Sequence, residues 1–253
     1  MFGICNLAIV PLRGEASDRS EMTSQVLFGE HFKILEETPK WSRIEMGFDG
    51  YNGWIDNKQF RTISESDYNK LQAAAPVLNA DLIEYVTGND NQLLPIPIGS
   101  SITFLGDPAL NTENFVFEGL KASGVTSKQK LIDTAFMYLN SPYLWGGKTP
   151  FGLDCSGFVQ MVYKLNGYAM LRDASQQATQ GEALSFIEES EPGDLAFFDN
   201  DEGRIIHVGI IMEDNYIIHA HGKVRIDRLD HLGIYNVDTK RHSHKLRVIK
   251  KII

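Results

Sequence analysis

The sequence predicts an α+β protein, with a C-terminal domain of helices followed by an antiparallel sheet, preceded by two small β-barrels. Three observations carry that prediction. Short apolar runs separated by turn residues fill residues 1–62 and again 76–122, the spacing of small all-β modules. At Ser127 the pattern switches to a helical period, with Leu131, Ala135, Phe136 and Leu139 on one stripe. Beyond Pro192 strand patterns return, so helices precede the sheet instead of alternating with its strands. A chain of 253 residues has room for two or three such domains.

In the first barrel, residues 1–62, the apolar runs are Ala8–Leu12, Val26–Gly29, Phe32–Leu35 and Trp41–Met46. Asp49-Gly50 and Asn52-Gly53 are turn dipeptides set just before Trp54-Ile55. Met1–Leu12 is mostly apolar, but its first basic residue, Arg13, follows the apolar stretch, and Asn6 interrupts it. A secretory signal has the reverse order, so this stretch reads as a first strand. Residues 63–75 read as a linker helix, polar from Ser64 to Ala75 and ended by Pro76. The second barrel, residues 76–124, has strand patterns at Leu82–Thr87, Leu93–Ile98, Ser101–Leu105 and Phe115–Leu120. The third domain, residues 125–253, opens with a helix capped by Ser127 and running to about Asn140. A Gly/Pro-rich loop, Tyr143 to Leu153, leads into a second helix that begins near Cys155 and carries Phe158, Val159, Val162 and Leu165. Strands are predicted at Leu195–Phe198, Ile205–Met212, Tyr216–Ala220, Val224–Arg228 and Leu246–Ile253.

Thirty-three acidic and twenty-four basic residues leave a net charge of −9. That balance argues against a nucleic-acid partner, which needs a basic face. No window approaches the ~18 apolar residues of a bilayer span, so no membrane partner is expected. With no signal peptide visible, the expectation is a cytoplasmic monomer. The two cysteines, Cys5 and Cys155, sit in unlike contexts and make no disulfide framework. Cys5 lies among apolar neighbours and reads as a small buried hydrophobe.

Cys155 is different. In Leu153-Asp154-Cys155-Ser156-Gly157-Phe158, Asp154 is a good N-cap, and Ser156-Gly157 leaves the first turn open. A cysteine there meets the positive end of the helix dipole, which favours thiolate. A thiolate nucleophile needs an imidazole to hold the ion pair and later to protonate the leaving amine. His207, alone among Ile205, Ile206, Val208, Gly209 and Ile210, is either a satisfied core histidine or that base. A base needs a third polar group to fix its tautomer. His219 and His221 sit two apart on the next strand, hence on one face, and either could serve. A metal site of His219, His221 and His231 is the rival, but no ligand spacing and no nearby carboxylate supports it. Neither a metal nor a cofactor is expected.

These residues fall into five ordered blocks: Tyr-Leu-Trp-Gly-Gly (143–147), Leu-Asp-Cys-Ser-Gly-Phe (153–158), Pro-Gly-Asp-Leu-Ala-Phe-Phe (192–198), Ile-His-Val-Gly-Ile (206–210) and Ile-His-Ala (218–220). In that order they resemble the NlpC/P60 cysteine peptidases, which cleave bacterial cell-wall peptides. The resemblance implies a papain-like catalytic domain, and the full chain resembles a narrower subgroup in which two bacterial SH3-like (SH3b) barrels precede it. Cys155 would be the nucleophile, His207 the base and His219 the orienting residue, preferred thereby over His221. Tyr143 would stabilise the oxyanion beside the Cys155 N–H.

Asp18–Met22 with Leu27–Glu30, and Asp49–Ile55, resemble that narrower subgroup, the γ-D-glutamyl-L-diamino acid endopeptidases. That likeness implies that Glu21, Tyr51 and Asp173 bind the free amino group of an N-terminal L-Ala. It also implies that Asp154 and Ser156 line the D-Glu subsite. Where the subgroup often has Ser directly after the residue matching Asp173 this chain has Ala174, which removes one substrate hydrogen bond or moves it to Ser175. The implied substrate is a murein peptide, L-Ala-γ-D-Glu-diamino acid, met in cell-wall peptide recycling. Two other readings are a wall-binding protein with a degenerate catalytic domain and a general peptidoglycan hydrolase or amidase of the same fold. The intact Cys155, His207 and His219 set argues against the first. Glu21, Tyr51 and Asp173 occurring together argue against the second.

Overall fold

The computed structural model describes residues 1–253, the side chain of Asp90 excepted. The chain divides into two units, Met1–Val125 and Thr126–Ile253.

In the first unit, turn residues break the apolar runs into seven strands. They are β1 (Phe2–Ile4), β2 (Ile9–Arg13), β3 (Met22–Leu27), β4 (His31–Glu37), β5 (Trp41–Met46), β6 (Asn52–Asp56) and β7 (Arg61–Ile63). Their spatial order is β3-β2-β6-β5-β4-β1-β7, with every pairing antiparallel. The period of two sends Val10 and Leu12 from β2 and Ile44 and Met46 from β5 to one face, where they meet Cys5, Val26, Phe32 and Ile55. Cys5 is a fully buried member of that core, and burial pushes its thiol up to about 12.

Helix α1 (Glu65–Ala73) starts where Ser64 accepts a hydrogen bond from the Asp67 N–H, and it ends before Pro76. It is more than a spacer. Leu71 packs in a second core with Ile4, Phe28, Val86, Ile96, Ile102, Phe104, Leu110 and Phe117. Buried side chains of this size stabilise by ~1.5–3 kcal/mol each, which ties residues 63–122 to the first barrel. There follow β8 (Val77–Asn79), β9 (Ile83–Thr87), β10 (Leu93–Pro97), β11 (Val116–Phe117) and β12 (Lys121–Ser123). They form two small sheets, β10-β9-β11 and β12-β8. The strand expected at Ser101–Leu105 is instead one bridge, Leu78 to Ser101, and a 3-10 turn at Thr103–Gly106. The Thr103 hydroxyl accepts from the Val77 N–H at 2.9 Å, so a side chain takes the place of a ladder partner.

In the second unit, Ser127 caps α2 (Lys128–Met137) through the Lys130 N–H. The helix stops three residues before Asn140, which turns the chain with a φ of 70°. After β13 (Lys148–Thr149) and β14 (Gly152–Leu153) comes α3 (Cys155–Leu165), every residue of which is buried. Such a helix is apolar nearly all round because it is covered on all sides, by α2 and by the sheet. A short α4 (Ala174–Gln177) and β15 (Glu182–Leu184) precede β16 (Leu195–Asp199), β17 (Ile205–Ile211), β18 (Tyr216–His221), β19 (Lys223–Asp230), β20 (Gly233–Asn236) and β21 (Arg241–Lys251).

The sheet runs β15-β21-β16-β17-β18-β19-β20, and β21 also pairs with β20. Strand β21 reaches β20 with its first half, where Asn236 faces Arg241, and β16 with its second, where Leu195 faces Lys250. Strands β16 to β21 therefore close into a barrel. Phe198, Ile211, Ile217, Leu229, Ile234 and Ile249 form one of its cores. Helices precede an antiparallel sheet, as the α+β class requires. The single strand expected over Met1–Leu12 is two, β1 and β2, and the sequence reading missed β7, β8, β12, β13, β14, α4, β15 and β20, none longer than four residues. Among the described residues no helix is long and apolar enough to cross a membrane.

Candidate active site

Asp154 fixes the start of α3. Its backbone is extended (φ −90°, ψ 178°), and its carboxylate accepts from the Gly157 N–H at 2.6 Å and the Gly146 N–H at 2.8 Å. One side chain thus caps the helix and ties it to the loop carrying Tyr143. The approach is close enough to require glycine. A Cβ on Gly157 would lie 2.3 Å from the Gly147 carbonyl oxygen, and one on Gly147 would lie 2.3 Å from that of Gly152.

This packing places Cys155 at the first helical position, only 7 % exposed. Its sulfur accepts from the backbone N–H groups of Ser156 and of Val208, the residue after His207. Burial, and next the Asp154 carboxylate, push the thiol up to about 12 against these donors and Arg172. The thiolate expected from the helix dipole is therefore not the resting state. The dipole is present, but desolvation outweighs it.

His207 projects from β17 and is buried. Its Nε2 lies 2.8 Å from Nδ1 of His219 on β18. Nε2 of His219 lies 3.0 Å from Oδ2 of Asp227 on β19. The register explains the last contact: His219 pairs with Arg225 and Ile217 with Asp227, so Asp227 sits diagonally across from His219 on the same face. Arg225 donates to Asp227 through Nε at 2.7 Å and Nη2 at 2.9 Å, and the Val237 N–H adds 3.0 Å. Burial would raise the Asp227 carboxyl, but hydrogen bonds from His219, Arg225 and Val237 bring it down to about 2. Burial draws His207 well below the ordinary imidazole value, reinforced by His219, His244 and His221. Burial also lowers His219, with Asp227 opposing. At neutral pH both rings are uncharged and Asp227 is a carboxylate.

His244, on β21, stacks on His207 with ring centroids 4.2 Å apart and planes 23° apart. Burial lowers it to about 4, with His219 and His221 adding to the effect. Phe198 stands 5.8 Å from the His207 ring and 5.9 Å from His244, closing an aromatic wall. His221 is exposed, with its ring 6.4 Å from that of His207. Of the two histidines two apart on β18, the structure brings His219 to His207.

Tyr143 is held by its N–H, which donates to the Gly222 carbonyl at 3.0 Å, and by a bridge to Leu153. Its phenol is pushed up to about 12 by burial, then by Cys155 and Asp154, so it lies in the field of both. Leu144, Trp145 and Phe151, on the same loop, are exposed.

Arg172 and Asp227 went unrecognised in the sequence. The Arg172 guanidinium is 1 % exposed and grips Asp154 in a fork, Nη1 to Oδ1 at 2.9 Å and Nη2 to Oδ2 at 2.7 Å. Nη1 also donates to the Ser156 hydroxyl at 3.0 Å. Asp154 and Ser156 are thus both buried and joined through Arg172. Asp173 begins α4, its N–H donating to the Gln176 side chain at 3.0 Å. Ala174 is buried and Ser175 exposed, while Gln177 donates to the Ser156 carbonyl at 2.9 Å and pins α4 to α3. Glu21 and Tyr51 belong to the first unit. Glu21 is exposed at the start of β3, and Tyr51 packs at the edge of the barrel core beside the Asp49 turn.

The nearest carboxylate to His219 is supplied by the β18–β19 hairpin, which overturns the expectation that none is at hand. A Gly at the hairpin tip was the signal available. Folding the chain about Gly222 pairs His219 with Arg225 and brings Asp227 to the same face.

Residues 140–243 match the NlpC/P60 family, and residues 12–60 match the bacterial dipeptidyl-peptidase Sh3 domain. Dipeptidyl-peptidase 6 of Lysinibacillus sphaericus is 34% identical over 247 residues, covering 87% of this chain and 88% of that protein. The gamma-D-glutamyl-L-lysine dipeptidyl-peptidase of Bacillus subtilis (strain 168) is 29% identical over 215 residues, 78% of this chain and 71% of that protein. The protein of the same name from Bacillus cereus is 25% identical over 229 residues, 81% and 68% of the two chains. Among solved structures, an NlpC/P60 family protein from Bacillus cereus matches with a TM-score of 0.80 at 19% identity, covering 100% of this chain and 99% of that one. An NlpC/P60 endopeptidase from Photobacterium damselae matches at 0.70 and 14%, covering 98% and 70%. These two likenesses concern the fold.

Proposed function

The chain belongs to the NlpC/P60 family of cysteine peptidases, and on that premise we propose that it hydrolyses the γ-D-Glu–diamino acid bond of murein peptides. The observation that carries the chemistry is the line Cys155, His207, His219. The sulfur rests on the N–H of Val208, and the Nε2 of His207 is committed to His219. His207 takes the thiol proton as the sulfur attacks the γ-carbonyl, then delivers it to the leaving amine. Water hydrolyses the thioester, with His207 again as base. The Cys155 N–H, at a helix start, and Tyr143 stabilise the oxyanion. Their alignment on the carbonyl offsets the uphill transfer from a thiol at about 12.

The substrate class is supported by the names of the relatives and by the motifs of the sequence. Glu21, Tyr51 and Asp173 recognise the ammonium of an N-terminal L-Ala. Asp154 and Ser156 line the D-Glu subsite, with Arg172 compensating the Asp154 charge that would otherwise repel the substrate's α-carboxylate, and Ser175 takes the substrate hydrogen bond that Ala174 cannot make. A requirement for the free amine excludes intact peptidoglycan, whose L-Ala is acylated, and points to recycling of turnover peptides. Residues 76–124 are assigned as a second SH3-like module, a reading supported by two short sheets whose strands all come from this segment, its first strand pairing with its last.

The test is incubation of the pure protein with L-Ala-γ-D-Glu-diamino acid peptides, free and N-acetylated, with products identified by mass. Release of L-Ala-γ-D-Glu from the free peptide is expected, and Cys155→Ala should abolish it. Acetylation should cost ~30-fold or more, because two carboxylates lose their cation at ~2–5 kcal/mol. Glu21→Gln should narrow that gap. Equal cleavage of both peptides would leave a general wall hydrolase.

A further inference from the structure

The hydrogen bond between His207 and His219 has a direction that the two rings alone do not choose. Either imidazole could donate to the other. If His219 donated from Nδ1, His207 Nε2 would be the acceptor. The proton of neutral His207 would then sit on Nδ1, and neither nitrogen would be free to take the thiol proton.

Asp227 breaks this symmetry. Its carboxylate has no proton to give, so the 3.0 Å contact with His219 Nε2 has only one sense: the imidazole N–H donates. Neutral His219 then has its lone pair on Nδ1. Across 2.8 Å, His207 must donate from Nε2, which leaves the lone pair of His207 on Nδ1. With Nε2 taken, Nδ1 is the nitrogen left for Cys155. We propose that Asp227 is a positioning residue that fixes the tautomers of both histidines and thereby makes His207 Nδ1 the base.

The inference rests on Cys155 as nucleophile and His207 as base. During attack the thiol proton moves to His207 Nδ1, giving an imidazolium whose Nε2–H still points at His219. No proton leaves His219, and Asp227 stays a carboxylate; the imidazolium's Nδ1 proton then goes to the leaving amine. The setting of Asp227 suits a fixed acceptor. Oδ1 receives Arg225 Nη2 and the Val237 N–H, and Oδ2 receives His219 and Arg225 Nε. Both oxygens face two donors each. An asparagine cannot satisfy this arrangement, since its NH2 must oppose either the Val237 and Arg225 donors or His219. In the second case the amide donates to His219 Nε2 and reverses the relay.

The experiment is two-bond 15N–1H correlation of histidine-labelled full chain, which separates Nε2–H from Nδ1–H rings. The seven histidines can be assigned by single substitutions. At neutral pH the wild type is expected to show His207 and His219 both protonated on Nε2. In Asp227→Asn one or both should move to Nδ1–H, and kcat should fall ~10²-fold, the scale of lost general base catalysis, with KM within about twofold. A wild-type His219 carrying its proton on Nδ1 would overturn the proposal, and this holds whether or not the variant folds. Unchanged tautomers in the variant would overturn it too, whatever happens to kcat. Activity in Cys155→Ala would instead sink the nucleophile assignment and leave the tautomer result standing.

Discussion

Replacing Arg172 by Met removes one half of a buried ion pair and leaves the other in place. Arg172 is 1 % exposed and the Asp154 side chain 9 %, so solvent does little to screen what remains. Breaking a buried pair at one partner costs ~3–5 kcal/mol. The structure decides where in that range the change falls. Asp154 keeps the Gly146 and Gly157 N–H groups and the Ser156 hydroxyl, three donors that go on compensating its charge. The low end, ~3 kcal/mol, is therefore expected. For a unit of this size ~1 kcal/mol moves the melting midpoint by ~3–5 °C, so the second unit should melt ~10 °C lower. Scanning calorimetry of the full chain resolves this if the two units melt separately. Adding Asp154→Asn to Arg172→Met should restore part of the loss, since no unpaired charge is then left buried. A drop under ~1 kcal/mol, or strictly additive single and double variants, would refute the reading of Arg172 and Asp154 as a coupled buried ion pair.

His219→Ala should lower kcat substantially and His221→Ala little, because of these two it is His219 that hydrogen-bonds His207; steady-state rates on the free peptide check this, and a larger effect at His221 would reverse the assignment. Stability should fall as pH drops from about 6.5 towards 4. An unfolded histidine takes up its proton near 6.5, whereas His244 stays neutral down to about 4 and His207 is held well below 6.5. The unfolded state thus binds more protons across that window. Urea midpoints at pH 7 and pH 5 measure the loss, and His244→Phe should reduce it.

Much of this site was legible in the sequence because its parts are local. An N-cap followed by cysteine and small residues can be recognised within six positions, and a histidine inside an apolar strand stands out from its neighbours. What escaped depends on register and closure. Asp227 looks like an ordinary polar residue of a half-exposed strand until the hairpin is folded about Gly222. Arg172 follows an apolar run with no periodic signal, and only its burial beside Asp154 gives it meaning. His244 lies in His242-Ser243-His244, which resembles a polar tail. It reaches His207 because β21 is long enough to serve two neighbours. In the first unit, α1 was expected to be a linker by its polarity, yet Leu71 enters a core and Tyr68 stacks on Phe2, which together hold it against the strands.

The resting thiol of Cys155 bears on how long the enzyme survives unused. Peroxide and alkylating agents attack the thiolate, and with a thiol at about 12 almost no thiolate exists at neutral pH. The nucleophile therefore rests in the form that reacts more slowly with such reagents. It is armed only while a bound carbonyl draws its proton onto His207. Desolvation, with the Asp154 carboxylate beside it, holds the sulfur protonated until a bound peptide draws that proton away.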